Sequence, residues 1–231
     1  MNLIALAIAP GLAIMIYIYW KDKYDPEPKR LLIWAFILGV LSIIPAVILE
    51  TLVNKMGIVY TDSILKTGVY AFAGVALIEE AVKFFVVFRF LYPKKDFDEP
   101  FDGITYSVMV SMGFATLENI AYTVDYGAAT GVLRMFTAVP AHAAFGVIMG
   151  YYFGLAKFNT HKSNTYLAFA LFIPAILHAA YDFPLMLDDS LIGWLTPYKI
   201  IGAIITLIIA ILLSRKAIKI HQYNSPFNDR K

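Results

Sequence analysis

The stretch Val75-Ala-Leu-Ile-Glu-Glu-Ala-Val-Lys-Phe-Phe-Val-Val-Phe88 places Glu79, Glu80 and Lys83 inside a run apolar enough to cross a membrane. A charge at bilayer mid-depth costs roughly 2.5–3.5 kcal/mol on insertion scales, so three in one helix call for a purpose. On a helix Lys83 stands i+4 from Glu79 and i+3 from Glu80, so it partly neutralises either carboxylate but not both. A structural ion pair locking two helices would use the same residues. Against that reading, further polar groups occur at similar depth in other apolar runs. These are Glu118 and Asn119 in Phe114–Asn119, His142 in Pro140–Gly146, and His178 and Asp182 in Pro174–Asp182. Three chemistries use such a set. A buried glutamate with a pKa near neutrality can take a proton from water while histidines hold that water and donate to a developing oxyanion. Histidines and a carboxylate can bind zinc with one position open, here Glu79, His142 and His178, although no His-Glu-x-x-His occurs. Intramembrane Glu and His also serve as proton relays in carriers. The residues alone leave all three open.

The elements that must position these groups are membrane helices. The 231-residue chain is 60% hydrophobic and only 16% charged, with a mean hydropathy of +0.68, against about 25% charged residues in soluble domains. There is no cysteine, so disulfides, thiolate metal sites and a cysteine nucleophile are excluded. No basic residue precedes the first apolar run, which reads as a retained span rather than a cleaved signal. At about 20 apolar residues per crossing, seven spans are expected: 3–20, 31–49, 68–91, 101–126, 131–155, 166–187 and 198–213, the last extendable to 220. With the N-terminus outside, 14 of the 19 Lys and Arg fall in cytoplasmic segments, 4 in outer ones and Lys83 in the bilayer. That bias predicts an all-α bundle, N-out and C-in, forming one domain over residues 1–231.

Counted from the outer end of each span, Glu79 and His142 lie about 11 residues in, His178 about 9, Glu118 about 8 and Asp182 about 5. At about 1.5 Å per residue they share one slab in the middle to outer half of the bilayer. His178 and Asp182 share a helix face at i,i+4. Pro140 and Pro174 precede the two histidines; they read equally as bends that open a wet pocket and as ordinary membrane prolines. Ala141, Ala143, Ala144, Gly146, Gly150 and Gly154 offer a small-residue face for close helix approach. Other polar residues have plainer readings. His161 and His221 read as solvated, Glu50 as the outer end of the second span, and Asp188 and Asp189 as outer loop charges. Trp20, Trp34, Trp194 and Tyr198 read as interfacial anchors, and the basic C-terminal tail as a lipid contact, not a nucleic-acid one.

Four motifs in order carry a resemblance. Glu79-Glu80-Ala-Val-Lys83, Phe114-Ala-Thr-Leu-Glu118-Asn119, His142-Ala-Ala-Phe-Gly146 and His178-Ala-Ala-Tyr-Asp182, each on its own span, resemble the PrsW family of bacterial intramembrane proteases. The loop Asp22-Lys-Tyr-Asp-Pro-Glu-Pro28 resembles that family's acidic, proline-bearing loop. The group is related to the CAAX prenyl endopeptidases and Abi-type membrane proteins, which resemble glutamate-dependent proteases; a metalloprotease assignment has also been made. The resemblance implies a multi-pass protein of the bacterial plasma membrane that makes the first, extracytoplasmic-side cut in a single-pass anti-sigma factor. It implies a reaction carried by Glu79, Glu80, His142, His178 and Asp182, without a favoured cofactor. Glu79 would be the base, assisted by His142, with His178 and Asp182 on the oxyanion side. Lys83, Glu118 and Asn119 would support them. The CAAX enzymes have Asn at the position of Asp182. An ionised aspartate cannot donate to an oxyanion, so Asp182 is expected to orient His178.

Overall fold

The computed structural model describes residues 3–57 and 63–228, and every regular element among them is helical. Helices α1 (Leu3–Lys21) and α2 (Lys29–Lys55) are followed by a composite span of α3 (Ile64–Val69), a π-helical stretch Tyr70–Ala76, α4 (Leu77–Val86) and a second π-helical stretch Val87–Leu91. Then come α5 (Pro100–Tyr126), α6 (Ala128–Phe136), α7 (Ala138–Phe158), α8 (Ser163–Met186), the short α9 (Asp189–Ile192) and α10 (Lys199–Tyr223). Arg230 and Lys231, counted above for orientation, lie outside the described residues.

The chain is a polytopic membrane bundle, and its faces show why. On α10, Ile200, Ile204, Ile208 and Leu212 are exposed at a spacing of four, while Ala203, Leu207, Ala210, Ser214 and Ala217 are buried. Large apolar side chains thus face outward to lipid and small ones inward, as close helix packing requires. Five helical segments among the described residues are long and apolar enough to cross a membrane: Ile4–Lys21, Lys29–Lys55, Ala128–Phe158, Thr160–Met186 and Asp189–Tyr223. The expected third and fourth spans are helical but fall outside that set. The third is interrupted by π-helix and holds three charges. The fourth, α5, is enclosed by its neighbours, and its polar residues face protein: Ser107, Ser111, Thr116 and Asn119 are all buried.

Three boundaries depart from expectation. Helix α2 runs to Lys55, so Glu50 is inside a helix rather than at its end. The expected fifth span is two helices, because Thr137 leaves the helical region at φ −124, ψ −79. Pro140 therefore lies in the first turn of α7, where its missing N–H costs nothing, and it starts a helix instead of bending one. Pro174 does lie inside α8. His221 is also corrected. It is buried, its Nε2 donates to the Tyr151 carbonyl at 2.9 Å, and its ring stacks on Tyr151.

Helix α5 is held at its start by a capping box. Glu99 accepts from the backbone N–H of Asp102, and Asp102 accepts from that of Glu99, with Pro100 at the first helical position. The loop before α2 folds inward beneath this end, burying Asp22 and Glu27. Burial, reinforced by nearby carboxylates, pushes the Asp22 carboxyl up to about 8 and that of Glu27 up to about 7. Next to it α5 crosses α7 at backbone contact. A Cβ on Gly150 would lie 2.2 Å from the Gly103 carbonyl oxygen, and one on Gly103 would lie 2.4 Å from that of Gly150. The crossing sets the height of His142 two turns further along α7. Gly150→Ala is expected to force the helices apart and cost about 1–3 kcal/mol, as overpacked sites do. A fall in the thermal midpoint of the purified protein checks this; an unchanged midpoint would mean that the helices part freely.

Candidate active site

Four segments bring the polar groups together. The π-helical stretch before α4 shifts the register of the residues that follow it, a device common beside functional sites. It also packs Tyr70 against the site, where the Tyr70 hydroxyl donates to Asn54 at 2.7 Å. Glu79, Glu80 and Lys83 then project from α4, Glu118 from α5, His142 from α7, and His178 and Asp182 from α8. Ligand-type atoms of Glu79, Glu80, His142 and His178 all lie within 4.8 Å of one another, and all four residues are buried.

Lys83 is at the centre. An ammonium has three donors, and here three acceptors meet them: Glu79 Oε2 at 3.2 Å, Glu80 Oε1 at 2.9 Å and His142 Nδ1 at 3.1 Å. The Phe114 ring covers it, with the centroid 4.1 Å from Nζ. Because Lys83 only donates, His142 Nδ1 must accept. Its proton therefore sits on Nε2 and points at Glu118 Oε2, 2.9 Å away. Glu118 is held in turn by Arg134 Nη2 at 2.6 Å. His178 is placed between two carboxylates, with Nδ1 3.0 Å from Glu80 Oε1 and Nε2 3.1 Å from Asp182 Oδ2. Each ring nitrogen faces a carboxylate oxygen, an arrangement that suits the doubly protonated imidazolium. Asp182 thus sits behind His178, as the i,i+4 spacing predicts.

A cavity of about 570 Å³ opens onto this cluster. Glu79, Glu118, His142, His178 and Asp182 line it; Glu80 and Lys83 do not. The two adjacent glutamates are thereby separated. Glu79 faces the cavity with Oε2 held by Lys83, and Glu80 lies behind, bonded to Lys83 and His178. Glu80 can position these groups but does not reach the space a substrate would enter. Asn119 is also further back. Its Nδ2 donates to the Ala7 carbonyl at 3.0 Å and its Oδ1 accepts from Arg134 Nε at 3.3 Å, so it ties α1 to α6.

Sequence reasoning missed three lining residues. Glu50 lines the same cavity instead of ending a span at the surface. Arg134, counted only among the four outer cations, clamps Glu118 and stacks 3.9 Å over the Tyr122 ring. Tyr70 carried no signal beyond its aromatic type. The signal for Arg134 was a lone cation between two apolar stretches, and for Glu50 a carboxylate directly following an uninterrupted apolar run.

The donor types suit zinc, since each imidazole is backed through Nε2 by a carboxylate. The arrangement does not suit it. The Lys83 ammonium already occupies the meeting point of Glu79, Glu80 and His142 Nδ1, and Glu80 takes His178 Nδ1. A metal on those atoms would stand against a cation at hydrogen-bond distance.

Comparison with known proteins gives the family of the chain. The family described as "PrsW family intramembrane metalloprotease" matches residues 27–219. Protease PrsW of Geobacillus kaustophilus is 43% identical over 188 residues, covering 81% of each chain. Protease PrsW of Bacillus subtilis is 36% identical over 202 residues, 86% of this chain and 89% of that one. Protease PrsW of Clostridioides difficile is 37% identical over 194 residues, 81% of each. No solved structure matches the chain. With the family matched from the first loop to the last helix, and with the motif residues of four spans gathered at one cavity, this chain belongs to the PrsW family of intramembrane proteases.

Proposed function

We propose that the protein is a glutamate-dependent endopeptidase that cuts a single-pass membrane protein. The observation that carries this reading is the position of Glu79, the glutamate of the pair that lines the cavity, held by Lys83 and next to two histidines. With Oε2 on Lys83, Oε1 is the atom that takes the proton of a cavity water as the water oxygen attacks the peptide carbonyl carbon. Negative charge then develops on the carbonyl oxygen. His178 is the cation beside the cavity suited to receive it, and Asp182 keeps that ring oriented and charged. The C–N bond breaks as Glu79 returns the proton to the departing amine. His142, fixed in one tautomer between Lys83 and Glu118, forms the wall of the water site.

The substrate class follows from the family resemblance. It is a single-pass anti-sigma factor, cut on its extracytoplasmic side, in a seven-span N-out arrangement that puts the cavity in the outer half of the bilayer. The positive-inside bias supports that orientation.

Cleavage of such a substrate in liposomes tests the base. Glu79→Gln keeps size and removes the charge, and it is expected to lower the rate by about 10²–10⁴-fold; cleavage equal to wild type would sink the assignment. Asp182→Asn is expected to lower kcat more than it raises KM, because the charge behind His178 matters most when the oxyanion forms; undiminished activity would remove any need for that charge. The wild type is expected to keep its activity in 1,10-phenanthroline and to hold zinc well below one equivalent. Stoichiometric zinc, with activity lost on its removal and regained on its return, would replace this mechanism with a metal-dependent one.

A further inference from the structure

A second group of buried carboxylates lies at the opposite end of α5 and has no part in the chemistry above. Asp22 closes α1, Glu27 belongs to the inward-folded loop, and Glu99 and Asp102 form the capping box of α5. Asp22, Glu27, Glu99 and Asp102 are exposed by only 1%, 4%, 1% and 0%. One oxygen from each of Asp22, Glu99 and Asp102 lies within 4.8 Å of the others. Asp102 and Glu118 are 16 residues apart on one helix, about 24 Å along its axis, so this is not an extension of the active site.

The partners of these groups account for only part of their oxygens. Asp102 Oδ2 accepts from the backbone N–H groups of Asp98 and Glu99 at 2.8 and 2.7 Å. Asp22 Oδ2 accepts from the Thr105 hydroxyl at 3.2 Å. Glu99 Oε2 accepts from Ser225, and Glu27 Oε2 from Tyr106. Lys157, whose charge reaches Asp102, has its ammonium held by the carbonyls of Tyr92 and Lys94 at 2.5 and 3.5 Å. Asp22 Oδ1 remains fully buried with no hydrogen-bond partner, and Asp102 Oδ1 is as deeply buried with the Glu27 carboxyl, another acid, beside its own. Buried polar atoms are almost always satisfied, and an orphaned carboxylate oxygen among carboxyls that face one another points to a missing positive group.

We propose that Asp22, Glu99 and Asp102, with Glu27 beside them, bind one hard divalent cation of the magnesium or calcium class. An all-oxygen donor set without imidazole or thiolate selects such ions over zinc. The cation joins three separate parts of the chain. Asp22 brings the end of α1 and Asp102 the start of α5, while Glu99 brings the C-terminal segment through Ser225. Gln222 Nε2, donating to the Lys21 carbonyl at 2.6 Å, already fastens the same two chain ends. The ion would set the position of α5, the helix that carries Glu118 to the active site.

Titration of the purified full-length protein in nonionic detergent with Mn²⁺, followed by electron paramagnetic resonance, tests this. The expected result is one Mn²⁺ per chain, displaced by Mg²⁺ or Ca²⁺, with a raised thermal midpoint when bound. Changing even an outer partner of a metal site weakens binding about 10–100-fold. Asp22→Asn is therefore expected to weaken Mn²⁺ by at least that much, and Glu79→Gln to leave it unchanged. Should Asp22→Asn fail to fold, Asp102→Asn serves, since an amide oxygen still accepts from Asp98 and Glu99. No Mn²⁺ bound up to about 1 mM, or binding that survives both aspartate changes, or binding lost with Glu79→Gln instead, would each overturn the proposal. None of these outcomes depends on whether Glu79 is the base.

Discussion

A single buried ammonium organises this molecule. Lys83 is enclosed on α4 by two carboxylates, an imidazole and an aromatic face, and each of its three protons has an acceptor. Taking such a charge out of water is costly, and only a complete set of partners offsets the loss. The three acceptors come from two helices, so Lys83 holds α4 against α7. It also decides the chemistry of its neighbours. It forces His142 into one tautomer, and that tautomer engages Glu118. It fixes one oxygen of Glu79 and leaves the other for the cavity.

The rest of the fold serves this arrangement. The glycine crossing of α5 and α7 brings Glu118 and His142 to the same level. Asn119 and Arg134 tie α1, α5 and α6 together behind Glu118. Asp182 and Glu80 hold His178 from both sides. The charges inside the bundle are answered by neighbours: Glu79 and Glu80 by Lys83, Glu118 by Arg134, and His178 by Glu80 and Asp182.

Much of this was legible in the sequence, for definite reasons. Charges are so unfavourable in apolar helices that Glu79, Lys83, Glu118, His142, His178 and Asp182 stood out, and helical depth put them in one slab. Spacing rules paired Lys83 with both glutamates and His178 with Asp182. Rotation about the helix axis was not legible. It is what sends Glu79 to the cavity and Glu80 behind it, and the π-helical stretch upstream that influences it has no sequence signature. Boundaries were misread where polar residues follow apolar runs. Glu50 looks like the outer end of a span and Arg134 like one more outer cation until α2 is seen to continue and α6 to pack beside the site. The acidic loop after α1 carried a family resemblance but no sign of burial, yet Asp22 and Glu27 are buried.

The enclosure of α5 has a consequence for biogenesis. A helix that carries Asp102, Ser107, Ser111, Thr116, Glu118 and Asn119 is poorly suited to partition into lipid alone. The composite span around α4, with its three charges, has the same difficulty. Both must leave the translocation channel in company, their polar faces covered by α1 and α2 made before them and by α7 and α8 made after. The helices that build the site are thus the ones whose insertion is cooperative, so assembly of the site and entry into the membrane are coupled events.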